Sequence, residues 1–272
     1  MPLLAISDLH VSHAANRRVL DGLLPVTAAD WLIVAGDVGE RANDVLAALA
    51  LLAGRFARVL WAPGNHELWT TPSDPVRLRG EARYRYLVQG CRELGVVTPE
   101  DPYPVWHGSG RPVVVAPLFL LYDYSFAAAT AHGRRAALAR AYHRSIVCND
   151  EFLLHPDPYP SRESWCAERV LRTERRLRAI DPELPTVLVN HFPLLQAPTG
   201  RLRHPEFAQW CGTRRTANWH VRFRAVAMVY GHLHIPRTSQ YDGVPFSEVS
   251  LGYPREWQRA GHPGGAARII LP

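Results

Sequence analysis

The chain has 272 residues, of which 47% are hydrophobic, so it is long and apolar enough for one large α/β domain or two small ones. Its formal net charge is +6, and all 31 basic residues are arginine. Without lysine, phosphate binding by a P-loop lysine and Schiff-base catalysis are excluded. The sequence also predicts no membrane-spanning helix, because it has no uncharged apolar run of about 18 residues.

The spacing of apolar residues predicts strands and helices that alternate along the first half of the chain. The strands are predicted over 3–6, 31–35, 59–63 and 113–117, and the helices over 16–24, 42–53 and 74–94. The third helix is predicted to carry Arg77, Arg79, Arg83 and Arg85 on its polar side.

Further helices are predicted over 126–147 and 162–180, followed by strands over 186–189, 226–230, 238–241, 246–249 and 268–271. Asp242-Gly243 is a hairpin signal between two of these strands. Cys91, Cys148, Cys166 and Cys211 are scattered, which predicts reduced, buried thiols. The pattern favours a single domain over 1–272, with 119–165 as an insertion whose proline-rich part could form a lid.

Five short polar clusters each follow an apolar run. Side chains at the carboxyl ends of strands build the sites of α/β sheets. Each cluster alone is more often a turn, but the first three are 29 and 28 residues apart, about one strand–helix unit. Histidine, aspartate and asparagine that converge on one sheet edge indicate a two-metal hydrolase. The clusters are Asp8-Leu-His10, Gly36-Asp37, Gly64-Asn65-His66-Glu67, Asn190-His191 and Gly231-His232-Leu-His234.

In this order, the clusters resemble the D-x-H, G-D, G-N-H-[DE], histidine and G-H-x-H motifs of calcineurin-like metallophosphoesterases. The resemblance spans Asp8 to His234, with one departure, since Asn190 stands where the family usually has glycine. It implies an α/β fold, a four-layer α/β/β/α sandwich of two mixed sheets flanked by helices. It also implies hydrolysis of a phosphate ester by hydroxide held on two metal ions.

The resemblance also implies a ligand set for each of the two metals. Imidazole and carboxylate ligands without thiolate suit transition metals better than calcium, so we expect Mn or Fe, with Zn or Co as alternatives. The first metal would be held by Asp8, His10, Asp37 and His234, and the second by Asp37, Asn65, His191 and His232.

By the same resemblance, His66 would protonate the leaving alkoxide. The segment from Gly36 to Arg41 is similar to the G-D-x-x-D-R segment of phosphoprotein phosphatases, with glutamate in place of the second aspartate. On that match Glu40 would hold His66, and Arg41 would contact the phosphate. The alternative interpretation of Glu40 and Arg41 is a pair of surface charges at the start of a helix.

The runs 229–237 and 248–257 are similar to an actinobacterial-type subgroup of this family, which includes hydrolases that remove 4′-phosphopantetheine from the serine of acyl carrier proteins. An arginine-rich chain suits such an acidic partner, with Arg41 and Arg237 as first candidates for the contact. A cyclic nucleotide or another small phosphodiester is the alternative substrate, followed by phosphomonoesters. Nucleic acid is not favoured, because no basic stripe is interleaved with aromatic residues.

A non-enzymatic scaffold of the same fold is a further alternative, but every ligand position and His66 are present. Because residues 1–10 already carry two candidate ligands, cleavage of a leader would destroy the site, and we expect a cytoplasmic protein. The sequence leaves the oligomeric state open.

Overall fold

A computed structural model describes residues 1–108, 110–127, 130–259 and 267–272. In these residues the chain forms two mixed sheets. The first has four strands in the order β10-β1-β2-β3, and β10 is its antiparallel strand. These strands are β1 (Leu3–Ile6), β2 (Trp31–Val34), β3 (Arg58–Trp61) and β10 (Arg268–Leu271).

The second sheet has six strands in the order β4-β5-β6-β7-β9-β8, with antiparallel β4 and β8 at its two edges. Its four central strands run parallel to one another. The strands are β4 (Val105–Trp106), β5 (Val113–Pro117), β6 (Thr186–Val189), β7 (Ala225–Tyr230), β8 (Arg237–Tyr241) and β9 (Val244–Glu248).

The helices lie in the connections between successive strands. They are α1 (Ala14–Asp21), α2 (Ala42–Ala53), α3 (Gly80–Glu93), α4 (Ala131–His143), α5 (Asp150–Leu153), α6 (Arg162–Arg178), α7 (Trp219–Arg222) and α8 (Pro254–Arg259). Short 3-10 helices cover His66–Leu68, Ala197–Arg201, Pro205–Trp210 and Arg214–Thr216. None of the described helices is long and apolar enough to cross a membrane.

The strand β1 shows why the sheets stack as two inner layers. All of its residues are buried, and successive side chains point to opposite faces. Leu3 and Ala5 belong to a buried cluster with Val115 and Val187 of the second sheet. Leu4 and Ile6 belong instead to the cluster that contains the buried faces of α1 and α2. A strand buried on both faces gives the helix–sheet–sheet–helix sandwich that the resemblance implied.

The two sheets are joined directly at the edge where β1 ends. Ser7 bridges to Ser250, the second residue after β9. The backbone N–H of Ser7 donates to Val249, and the carbonyl of Ser7 accepts from Leu251. These bonds fix the carboxyl ends of the two sheets beside each other.

The predicted start of the third helix was wrong. The helix begins at Gly80 rather than near residue 74, because the preceding residues form an irregular, mostly exposed segment that is anchored by the buried side chain of Asp74. The buried carboxylate of Asp74 accepts the backbone N–H of Val76 and a guanidinium N–H of Arg83. Arg83 is therefore fully buried, not on a polar face, and it also donates to the carbonyl oxygens of Glu67 and Glu40.

Most of the other predicted elements are present with bounds shifted by a few residues. The hairpin signal is confirmed, since Asp242 and Gly243 have φ of 50° and 78° and connect antiparallel β8 and β9. The predicted helix over 126–147 is shorter in the structure and corresponds to α4. All four cysteines are free and buried, as expected.

Candidate metal centre

Every predicted ligand lies just after a strand, at one edge of the sandwich. Asp8 and His10 follow β1, Asp37 follows β2, and Asn65 follows β3. On the second sheet, His191 follows β6, whereas His232 and His234 follow β7. Because the two sheets are joined at this edge, ligands from both come together there.

Five of the seven predicted ligands have a left-handed backbone. The φ angles are 54° for Asp8, 40° for His10, 53° for Asp37, 69° for His232 and 54° for His234. Each such residue costs on the order of 1–3 kcal/mol, so the surrounding structure must hold it in place. Strain concentrated at one edge indicates a site selected for function rather than for stability.

The first group of ligands is Asp8, His10 and His234, whose candidate ligand atoms all lie within 4.8 Å of one another. His234 Nε2 is 3.0 Å from Asp8 Oδ1 and 3.4 Å from His10 Nε2. Asp8 Oδ2 accepts from the hydroxyls of Ser7 at 2.6 Å and Ser250 at 2.7 Å. One carboxylate oxygen is thus held by serines, and the other faces the imidazoles.

The second group forms around His191. Its Nε2 is 3.3 Å from Asp37 Oδ2, 3.2 Å from Asn65 Oδ1 and 3.2 Å from His232 Nδ1. Asp37 also belongs to a group with His10 and His66, so its carboxylate lies between the two sets of ligands. This is the position expected of a bridging ligand.

The hydrogen bonds of the imidazole rings leave the inward nitrogens free to bind metal. His191 Nδ1 donates to the carbonyl of Ala35 at 2.9 Å, and His234 Nδ1 donates to Glu256 at 2.7 Å. In the neutral form of either ring Nε2 is then the unprotonated atom, and it points into the cluster. Bonds of this kind fix the tautomer and orientation of metal-binding histidines.

The electrostatics of the cluster also favour cations. Asp8 and Asp37 are almost completely buried. Although burial opposes it, the neighbouring imidazoles lower the pKa of both carboxyls, with His234 acting on Asp8 and His191 on Asp37. Burial, with His191 as a further cause, lowers the pKa of His232 to about 3, so this ring stays neutral. Although burial opposes it, the carboxylates of Asp37 and Asp8 raise the pKa of His191 to about 10 and that of His234 above its ordinary value. The buried carboxylates therefore attract positive charge, and two divalent ions fit this set of ligands.

Glu67 holds the loops that carry Asp37 and Asn65. Its two carboxylate oxygens accept backbone N–H groups from Asp37 at 3.0 Å, Val38 at 3.0 Å and Gly64 at 2.9 Å. Burial and the charge of Asp37 raise the pKa of Glu67 to about 7. Gly64 has no room for a side chain, because a Cβ there would lie 2.1 Å from Asp37 Oδ1.

His66 lies beside the ligands with its ring held on two sides. Its Nδ1 is 3.1 Å from Glu40 Oε1, and its ring stacks on Trp69 with centroids 3.7 Å apart. Its Nε2 is 3.7 Å from Asp37 Oδ2. Burial lowers the pKa of His66, but the carboxylates of Asp37 and Glu40 outweigh it and raise that pKa. The structure therefore brings together the predicted acid and its predicted partner.

The two arginines that were predicted to contact the substrate lie in different parts of the structure. Arg41 is exposed at the residue that precedes α2, next to Glu40. Arg237 is the first residue of the edge strand β8, and its Nε donates to the hydroxyl of Ser239 at 3.0 Å. The structure shows neither guanidinium in contact with the ligand cluster.

Asp150 lies beside the candidate ligands, although no sequence motif singles it out. It is fully buried, and one of its oxygens, Oδ1, accepts from Asn65 Nδ2 at 2.9 Å and from Trp69 Nε1 at 2.6 Å. It belongs to α5 within the predicted insertion, 85 residues after Asn65. Such a long-range contact has no local sequence signal.

Asn190 and Glu256 also have roles that the motifs did not reveal. Asn190 Oδ1 accepts the backbone N–H of Leu120, and its Nδ2 donates to the carbonyl of Phe192, so its side chain connects the ends of β5 and β6. This explains how the chain uses asparagine where the family usually has glycine. Glu256 supports His234 from α8.

Comparison with known proteins gives consistent results. Residues 1–236 match the family model described as calcineurin-like phosphoesterase. The chain is 56% identical over 270 residues to a Mycobacterium tuberculosis protein named [Acyl-carrier-protein] phosphodiesterase PptH, an alignment covering 99% of this chain and 83% of that protein. The crystal structure of phosphopantetheinyl hydrolase (PptH) from the same organism matches with a TM-score of 0.96, covering 100% of this chain and 96% of that one.

Proposed function

Because the chain belongs to the calcineurin-like phosphoesterase family and is a phosphoric ester hydrolase, we propose that it acts on an acyl carrier protein. The bond cleaved is the phosphodiester that links 4′-phosphopantetheine to a serine of that protein. The observation that carries this proposal is the whole-chain likeness to phosphopantetheinyl hydrolase, with 56% identity and a TM-score of 0.96.

The metals would be held by the seven predicted ligands, with Asp37 between the two sets. Two bound divalent ions supply an activated water and neutralise the charge on the phosphate. We propose Mn or Fe as the pair, with Zn or Co as alternatives, because the ligands are imidazole, carboxylate and amide oxygen.

His66 would then donate a proton to the departing serine oxygen. Glu40 engages its Nδ1, which leaves Nε2 directed toward Asp37 and the ligand cluster. Water adds to phosphorus through its oxygen and releases one proton to solvent, the bond from phosphorus to the serine oxygen breaks, and that oxygen takes the proton from His66, which is then reprotonated from solvent. The products are apo-carrier protein and free 4′-phosphopantetheine.

The alternative substrates are cyclic nucleotides, other small phosphodiesters and phosphomonoesters, since the ligand cluster alone does not select among esters. An inactive scaffold is not favoured. All seven ligand side chains and His66 lie together in the structure, and five of the ligands have strained backbones that an inactive protein has no need to keep.

The test is to incubate the Mn²⁺-loaded protein with holo-carrier protein and to follow its intact mass. We expect loss of the phosphopantetheine mass, and no change with Asp37→Ala, which should bind neither metal. Cyclic AMP and chromogenic mono- and diesters are assayed in parallel. An unchanged carrier mass alongside rapid hydrolysis of cyclic AMP would favour the alternative.

A further inference from the structure

We propose that the cavity beside Tyr253 is the subsite for the pantetheine arm of the substrate, an inference that rests on the proposed function. The cavity has a volume of about 380 Å³ and is lined by His13, Tyr253, Pro254 and Arg255. This volume lies within the range of about 300–1,000 Å³ that is typical of small-molecule sites.

The cavity shares a wall with the candidate metal centre. The ring of Tyr253 stacks on the ring of His10, with centroids 4.5 Å apart and an interplanar angle of 17°. The same ring lies edge-on to His234, with centroids 4.9 Å apart. A phosphate held by the first group of ligands is therefore one ring away from the cavity, so a chain that leaves the phosphate can enter it.

The wall is anchored to the metal ligands rather than to a loose loop. Glu256 accepts both the backbone N–H of Tyr253 at 2.8 Å and Nδ1 of His234 at 2.7 Å. The preceding Gly252 has φ of 80°, and a Cβ there would lie 2.8 Å from Glu256 Oε2. Its carbonyl accepts from Asn16, a buried residue of α1. The same residues thus fix the cavity wall and the ring of His234.

The lining suits an uncharged chain that contains amides. Tyr253 and Pro254 offer ring faces for the apolar part of the arm. The guanidinium of Arg255 lies over the Tyr253 ring at 5.6 Å, and the ring of His13 meets it edge-on at 5.6 Å, so donors border both sides. Arg255 is exposed, and the neighbouring Glu256 is already paired with His234, which leaves the guanidinium available for carbonyl oxygens.

The position of His66 determines the orientation in which the substrate would bind. His10 lies between the two features, with ring centroids 4.7 Å from His66 and 4.5 Å from Tyr253. Since His66 protonates the serine oxygen in the proposed reaction, the carrier protein approaches on the His66 side. The arm, attached to phosphorus through its other ester oxygen, is then directed toward Tyr253.

The experiment compares Arg255→Ala and His13→Trp with Arg58→Ala as a matched control. Arg58 is also an exposed arginine stacked on an aromatic ring, that of Trp31 at 4.8 Å, but it lies at the opposite ends of the strands. For holo-carrier protein we expect Arg255→Ala to raise KM roughly tenfold, the loss of one charge-assisted hydrogen bond. His13→Trp, which fills the cavity, should raise KM at least as much. For a nitrophenyl diester, which has no arm, both variants should match the wild type.

Binding of free 4′-phosphopantetheine, measured by calorimetry, provides a readout independent of turnover. We expect it to weaken in Arg255→Ala and His13→Trp, whereas binding of inorganic phosphate stays unchanged. Variants that keep wild-type KM for the carrier and wild-type affinity for phosphopantetheine would overturn the subsite while the proposed function stands. If the wild type leaves the carrier mass unchanged, the proposed function fails, and the calorimetry still decides whether this cavity binds the arm.

Discussion

At the scale of single residues, the candidate metal centre depends on side chains whose orientation is fixed by hydrogen bonds. His191 and His234 are fixed by bonds on Nδ1, Asp8 by two serine hydroxyls, and Asn65 by Asp150. Supporting partners of this kind determine how well the ligand atoms fit a metal.

His66→Ala should retain both metals, because the predicted ligands are untouched. We expect hydrolysis of substrates with poor leaving groups to slow by about 10²–10⁴, the usual contribution of a general acid. A nitrophenyl diester, whose leaving group needs little protonation, should be affected much less. Metal content by elemental analysis is the control. Equal losses on the two kinds of ester would remove His66 from the acid role.

Asp150 should control the second metal through the amide of Asn65. Because Asp150 accepts from Nδ2, Asn65 Oδ1 faces His191, and this is the assignment of the amide that metal binding needs. Asp150→Ala should weaken the second metal about 10–100-fold and leave the first unchanged, as measured by metal titration. Asp150→Asn should be milder, since one oxygen accepts both of the present bonds.

A pair of substitutions tests whether Asn65 and Asp150 interact directly or whether each substitution simply destabilises the fold. Asn65→Asp alone places a second carboxylate next to that of Asp150 and should lower the free energy of unfolding of the metal-free protein. Adding Asp150→Asn removes the repulsion and should recover most of the lost free energy of unfolding. Additive losses in the double variant would show that the two side chains are not coupled.

At the scale of elements, the sequence predicted where the candidate ligands lie but not most of the side chains that fix their orientation. Apolar runs followed by polar clusters were sufficient for the strands and their site edge, because a strand buried on both faces is a continuous apolar run. The burial of Asp74 and of Arg83 and the contact of Asp150 with Asn65 depend on partners far along the chain. Local propensity carries no information on such pairs.

Glu67 connects the loops after β2 and β3, so replacing it with the neutral isostere glutamine should destabilise both loops. Gln can offer only one oxygen, and its amide group would face N–H groups that now have an acceptor. We expect Glu67→Gln to lower the free energy of unfolding by about 2–4 kcal/mol in urea titrations. Glu93→Gln, at an exposed position of α3, is the control and should stay within about 0.5 kcal/mol. Equal stability of the two variants would contradict this role.

At the scale of the whole molecule, charge pairs connect the two halves of the chain. Glu100 Oε1 accepts from Tyr84 of α3 at 2.9 Å and from the buried guanidinium of Arg169 of α6 at 2.7 Å. Arg172 of α6 also pairs with Glu100. Burial raises the pKa of Glu100, but Arg169 outweighs it, and the net effect is a pKa below the ordinary value.

A lowered carboxyl pKa in the folded state makes stability depend on pH in one direction. The contribution is present above the unfolded value of about 4.3 and is lost as pH falls through the lower, folded value. Glu100→Gln should therefore be less stable than wild type near neutral pH, by about 1–3 kcal/mol, and the difference should shrink below about pH 4. Urea midpoints across this range test it. A constant difference would show that ionisation of Glu100 does not contribute.

The chain has a formal net charge of +6, and its 31 positively charged residues are all arginine. This charge predicts how association with an acidic carrier depends on salt. The screening length falls from about 10 Å at 0.1 M salt to about 3 Å at 1 M, so attraction between exposed charges weakens as salt is added. Between about 50 and about 500 mM NaCl, kcat/KM for holo-carrier protein should fall at least about tenfold, mainly through the association rate. A nitrophenyl diester presents no acidic surface, and its kcat/KM is the control for direct effects of salt on the centre. If kcat/KM falls in parallel for both substrates, salt acts on the catalytic site, and the hypothesis that the arginines steer the carrier is wrong.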